Sequence, residues 1–240
     1  MATDFRSADH LPRLRDDGIP PPPEQLPRQR AGVTPQMHGR YPDYDVLANA
    51  THWDEVTREV VLARVNDVPA VTFFDAEEVR TLQRFCDLVT AQDADPRIPV
   101  LAMVDAKLAG GHLDGYRHQD MPEDPETWRR VAAGLDEAAG GSFAGLEPAD
   151  AERIIDRFAK GELEGGVWET LPCAKAWSVV MRGVIGAFYS HPWAWNEIGY
   201  GGPAYPRGYM RLGVGQHEPH QGREVGEEDP VRKVARAGLE

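Results

Sequence analysis

The chain has 240 residues, 41% apolar and 27% charged, enough for one ordinary domain with a real hydrophobic core. Its 24 glycines and 20 prolines stay below the roughly 25–30% that marks a disordered chain. With 26 Lys and Arg against 39 Asp and Glu the net charge is −13, which excludes a basic footprint for nucleic acid and disfavours anionic lipid. The longest apolar stretch, Ala176–Tyr189, is too short to span a bilayer and contains Arg182, so no direct membrane insertion is expected. The first thirty residues hold charges and prolines and no apolar signal core. Cys86 and Cys173 both lie in apolar helical patterns, which reads as two small buried hydrophobes in a reducing compartment.

Residues 1–45 read as a proline-rich extended arm, with a Pro20–Pro23 run and further prolines at 12, 27, 35 and 42. A helical domain follows over 46–214. Thr51-His52-Trp53-Asp54 has the form of a capped helix start, and Trp53, Val56, Val60 and Val61 continue it at helical spacing. Val68–Phe74 is a candidate short strand, weakened by Pro69. Asp75-Ala76-Glu77-Glu78 is a capping box ahead of the stripe Val79, Leu82, Cys86 and Val89. Pro96-Arg97-Ile98-Pro99 opens a third helix, stopped by Gly110-Gly111. Asp124-Pro125-Glu126 opens a fourth, with Asp as the cap, and Gly140-Gly141 stops it. Pro148 to Gly161 bounds a fifth, and a sixth is predicted from about Leu171 to Tyr189. The prediction is therefore all-α: five or six helices in an irregular bundle, with the N-terminal arm and an aromatic, glycine-rich C-terminal loop. From 215 to 240 the chain reads as a polar tail.

That loop, His191–Arg211, is the unusual feature. His191, Trp193, Trp195, Asn196, Tyr200, Tyr205 and Tyr209 crowd it among four glycines, a composition that predicts a compact loop rather than a helix, and Tyr189 stands just ahead of it as the eighth candidate. Three readings stand: an aromatic cap closing the helical core, a partner interface built on these eight residues, and a ligand site.

No motif for chemistry on this chain is found. Gly199-Tyr200-Gly201-Gly202 neither follows a strand nor opens a helix, so it fails the context a dinucleotide loop requires. No Gly-x-Ser-x-Gly elbow is present, and Ser142, Ser178 and Ser190 lack an evident base. His217-Glu218-Pro219-His220 spaces two imidazoles as a metal site would, but in a polar stretch broken by Pro219, where a solvated tail is the favoured reading. His112 and His118, with Asp114, are the weaker metal candidates. Paired acids such as Glu77-Glu78 and Asp136-Glu137 fall at helix starts or on exposed faces, where solvation explains them.

Phe73-Phe74-Asp75-Ala76-Glu77-Glu78, then Leu82, Asp87 and Val104-Asp105, resembles the opening of the gluconate 2-dehydrogenase subunit 3 family. Phe143-Ala144-Gly145-Leu146 is similar to a short Phe-x-x-Leu segment of that family. Gly186–Pro192 followed by Trp195–Pro203 resembles its closing motif. The resemblance covers about 73–211. It implies a non-catalytic small subunit that binds and stabilises a large FAD-dependent oxidoreductase of the glucose–methanol–choline type, acting on sugars, sugar acids or polyols. On that reading the flavin sits in the partner, this chain holds no cofactor, no metal and no catalytic residue, and a cytochrome or other electron acceptor is a further partner. Family members often open with a twin-arginine signal, and here the first residues are polar and proline-rich. The expected compartment is the cytoplasm, or the periplasm if the partner carries the export signal. The competing expectation is a stand-alone carbohydrate-binding or enzymatic helical domain, with Trp193, Trp195, Tyr200 and Tyr205 as a sugar platform.

Overall fold

The computed structural model describes residues 44–92, 97–112, 115–210 and 218–222. The predicted arm up to residue 43 and the tail beyond residue 222 lie outside them. Among the described residues there are seven α-helices, three 3-10 turns and no strand, so the chain is all-α with one helix more than expected. The described residues fall into two compact units: one, the larger in described residues, holds 69–90, 99–112 and 115–188, and the other holds 44–68, 91–92, 97–98, 189–210 and 218–222.

The larger unit is a bundle. Helix α2 (Ala76–Val89) starts with the predicted capping box: Asp75 accepts from the Glu77 and Glu78 amides, and Glu78 accepts from the Asp75 amide. Its Leu82, Phe85 and Cys86 are buried, and it packs on α3 (Val100–Ala109), α4 (Asp124–Ala138) and α5 (Pro148–Lys160). In α4 the predicted cap, Asp124, is already helical, and Glu123 takes the cap position without a side-chain bond. Helix α6 (Cys173–Ser190) follows, its last two residues counted with the smaller unit. Phe85, Phe158, Trp168 and Trp177 meet in the core, with ring centroids 5.0–6.1 Å apart. The candidate strand ahead of α2 is coil. Its Thr72, Phe73 and Phe74 amides all donate to the buried Asp105 carboxylate of α3, at 2.8–3.2 Å. A side chain thus does what a neighbouring strand would do, and Pro69 has no ladder to break.

The smaller unit holds a 3-10 turn (Val46–His52), α1 (Glu55–Asn66) and α7 (Pro192–Ile198). Two corrections fall here. Thr51 does not cap α1; it lies in the 3-10 turn, and Asp54 caps instead, accepting from the Thr57 amide at 3.1 Å. The aromatic segment is also not all loop, because α7 forms within it. Pro192 supplies a first helical residue with no amide to satisfy, and Gly199, at φ +67°, supplies the left-handed stop. Those two residues bound a seven-residue helix in a composition that otherwise disfavours one. Val46, Ala50, Trp53, Val61 and Trp195 form the core of this unit. The Gln92 side-chain amide pairs with both the N–H and the C=O of Ile98.

Candidate functional site

The closing segment of the resemblance lies in the smaller unit, and its residues divide into those that build the unit and those that face outward. His191 is 1% exposed and caps α7, its Nδ1 accepting from the Trp193 amide at 3.2 Å. Burial pulls its imidazole down to about 4; a hydrogen bond at the Arg64 backbone opposes that shift and the Arg64 charge adds to it. Trp195 is 5% exposed; its Nε1 donates to the Tyr189 carbonyl at 2.6 Å and its ring meets Tyr200 edge-on at 5.4 Å. Arg64 of α1 lies over the Trp195 ring at 5.8 Å and donates to the Ser190 carbonyl at 2.7 Å, a guanidinium tying the end of α6 to α7. Asn196 Oδ1 accepts from the Val46 amide at 2.8 Å, so its side chain also serves the fold. Trp193 is partly buried against His191, ring centroids 4.8 Å apart.

The outward set is Tyr189, Tyr200, Tyr205 and Tyr209, with Ile198 and Met210 beside them. Tyr205 is 66% exposed and Met210 85%. Of the eight residues predicted as one interface, four tyrosines thus present surface, while His191 and Trp195 lie in the interior of the unit and Asn196 and Trp193 are half-buried. Of the four rings proposed as a sugar platform, Trp195 is enclosed.

Glycines and a returning strap shape the segment after α7. Gly202, at φ +73°, runs so close to the core that an added Cβ would lie 2.8 Å from Trp53 and 3.1 Å from Val46. At Gly201 a Cβ would meet the His220 ring at 2.7 Å. Residues 218–222, predicted as solvated tail, are instead packed: Glu218 and His220 are buried. The Tyr44 hydroxyl donates to the His220 carbonyl at 2.9 Å and to the Tyr200 carbonyl at 3.1 Å, Asn49 donates to the His220 carbonyl at 3.0 Å, and the Gly222 amide donates to the Gly199 carbonyl. The strap is held because the His220 carbonyl accepts from Tyr44 and Asn49 and the Gly222 amide finds the Gly199 carbonyl, not because its side chains are apolar.

A cleft of about 520 Å³ opens beside the strap, lined by Asn49, His52, Arg207, Met210, Glu218 and His220. Arg207 donates to the Gly201 and Pro203 carbonyls at 3.4 and 3.3 Å. Burial, then the Arg207 charge, lowers the His220 imidazole below its ordinary value, and Glu218 works the other way. Sequence reasoning had no handle on Tyr44, Asn49 or Arg207: each is a lone polar residue whose partners lie far along the chain or in irregular backbone. Among the described residues no group of three or more His, Cys, Asp or Glu side chains is placed to hold a metal ion. His112 and His118 are described, whereas Asp114 and His217 are outside the described residues. Nor is any described helix long and apolar enough to cross a membrane.

A family model described as gluconate 2-dehydrogenase subunit 3 matches residues 76–202, from the first residue of α2 to the third glycine after α7. Neither the curated proteins nor the solved structures gave a match.

Proposed function

The chain belongs to the gluconate 2-dehydrogenase subunit 3 family, and from that membership we propose that it is a non-catalytic accessory subunit of a larger flavin-dependent oxidoreductase. The family is that of a dehydrogenase subunit, which implies a larger oxidoreductase partner. The finer reading is that this partner is an FAD enzyme of the glucose–methanol–choline type, acting on a sugar, sugar acid or polyol. It holds both the flavin and the substrate, and it passes electrons to a cytochrome or another acceptor. The complex works in the cytoplasm, or in the periplasm where the partner carries the export signal.

The observation that carries the proposal is the exposed tyrosine group at and just beyond the end of the matched segment, Tyr189 and Tyr200 within it and Tyr205 and Tyr209 after it. Among the described residues of this unit Tyr189, Tyr200, Tyr205 and Tyr209 are exposed, whereas Tyr44, Trp53, Trp193 and Trp195 are buried or half-buried, and aromatic anchors of this kind dominate protein interfaces. The buried pair His191 and Trp195 then positions the surface without touching the partner.

The test is binding of the full chain to a flavoprotein encoded beside it. The double variant Tyr205→Ala and Tyr209→Ala should weaken binding at least about tenfold, with thermal stability unchanged, because single anchors typically contribute at least ~2 kcal/mol. Unchanged affinity in that variant would refute the placement of the interface. No affinity for any flavoprotein of the native host would refute the function.

A further inference from the structure

The cleft beside the strap carries an arrangement that the accessory-subunit reading does not use. Three nitrogens at this cleft, Nε and Nη1 of Arg207 and Nε2 of His220, are buried with no hydrogen-bond partner among the described residues. His220 is only 9% exposed, and the one engaged guanidinium nitrogen, Nη2, serves the Gly201 and Pro203 carbonyls. Buried polar groups in folded proteins are nearly always paired, so three at one cleft point to an acceptor of negative charge.

The other groups around the cleft narrow its chemistry. Glu218 lines it, with one carboxylate oxygen taken by the Met210 amide. The Glu218 charge opposes that of Arg207, and protonation of His220 adds the positive charge that an anion in the cleft would meet. Tyr44 and Tyr209 complete the ionisable surroundings, Tyr44 bonded to the His220 carbonyl and Tyr209 with its ring 5.9 Å from the imidazole. One imidazolium beside a balanced pair suits a monoanion, and a dianionic phosphate would leave charge uncompensated against Glu218. Met210 and Pro219 add apolar wall.

We infer that this cleft binds a carboxylate carried on a short apolar stem, with Arg207 and protonated His220 as its donors. The carboxylate belongs either to a small organic acid or to an acidic side chain of a partner segment. The site shares Tyr209 with the tyrosine surface, and its donors, Arg207 and His220, are not among the interface tyrosines.

The experiment titrates the isotope-labelled full chain with propionate, with a blocked glutamate (N-acetyl, C-amide) and with inorganic phosphate, following the His220 and His52 imidazole resonances. The expected result is a saturable shift with a carboxylate, stronger at pH 6 than at pH 8, because binding favours the protonated imidazole. Saturation by propionate assigns the site to a small acid; saturation by the blocked glutamate alone assigns it to a partner side chain. Arg207→Gln should abolish the shift. Because Arg207 also holds the loop, Met210→Glu provides the second variant: Met210 is 85% exposed, so the fold is kept while the added charge weakens binding at least about tenfold. No saturable shift, an equal response to phosphate, or unchanged binding in both variants would overturn the site.

Discussion

Replacing Gly202 with alanine should destabilise the smaller unit by about 2–5 kcal/mol. Two terms give that figure. The residue sits at φ +73°, where an L side chain costs about 1–2 kcal/mol. Its new Cβ would lie 2.8 Å from Trp53 and 3.1 Å from Val46, both buried in the unit's core, so these side chains must shift, which is overpacking worth about 1–3 kcal/mol. Gly186, a glycine of the same closing motif, gives the opposite expectation. It lies on the exposed side of α6 with nothing within 4 Å of an added Cβ, so Gly186→Ala should stabilise by about 0.5–1 kcal/mol through helix propensity. Urea unfolding followed by tryptophan fluorescence and circular dichroism measures both variants. Gly202→Ala falling within about 0.5 kcal/mol of wild type, or Gly186→Ala proving the more damaging of the two, would refute the account of why the motif needs glycine.

Trp195→Ala should cost about 3–5 kcal/mol in the same assay, since it removes a 5% exposed indole and its bond to the Tyr189 carbonyl; a loss under about 1 kcal/mol would show that the ring is not a core residue. Asp105→Ala should cost at least about 3 kcal/mol by stranding the Thr72, Phe73 and Phe74 amides, and Asp105→Asn should recover part of that; a neutral alanine variant would mean those amides find other acceptors. His191 supplies a pH dependence. Its folded value of about 4 lies below the unfolded value near 6.5, so the neutral imidazole is the form the fold favours. That contribution, roughly 3 kcal/mol, is complete above about pH 6.5 and is lost as pH falls towards 4. His191→Asn keeps a helix-capping acceptor and removes the titration. The stability difference between wild type and this variant should therefore narrow or reverse over that interval, and a difference constant with pH would contradict the burial of a neutral His191.

How much was legible in the chain depended on where the relevant bonds were made. Helix α2 was readable because its capping box, Asp75 to Glu78, and its apolar stripe are local and periodic. Helix α5 was readable because Pro148 and Gly161 mark its two ends. Helix α7 was missed because seven residues are too few for a hydrophobic period to show, and aromatic and glycine content masked the Pro192 and Gly199 boundary signals. The Asp105 bonds reach back more than thirty residues to three backbone amides, and no side-chain pattern encodes that. The strap at 218–222 looked solvated because its side chains are polar. It is held by one backbone carbonyl, that of His220, answered by Tyr44 and Asn49, over 170 residues away. The aromatic candidates were found by composition, which does not say which rings turn inward. Trp195 and Tyr205 look alike in the sequence and differ because Arg64 and the Tyr189 carbonyl claim the indole.

The measurement that bears most directly on the central claim is affinity isolation of the full chain from its native host, with an absorption spectrum of the eluate and a parallel isolation of the Tyr205→Ala and Tyr209→Ala double variant. The account predicts a larger co-purifying chain with a flavin spectrum, and loss of that chain and its colour in the double variant. A colourless chain isolated alone would contradict it.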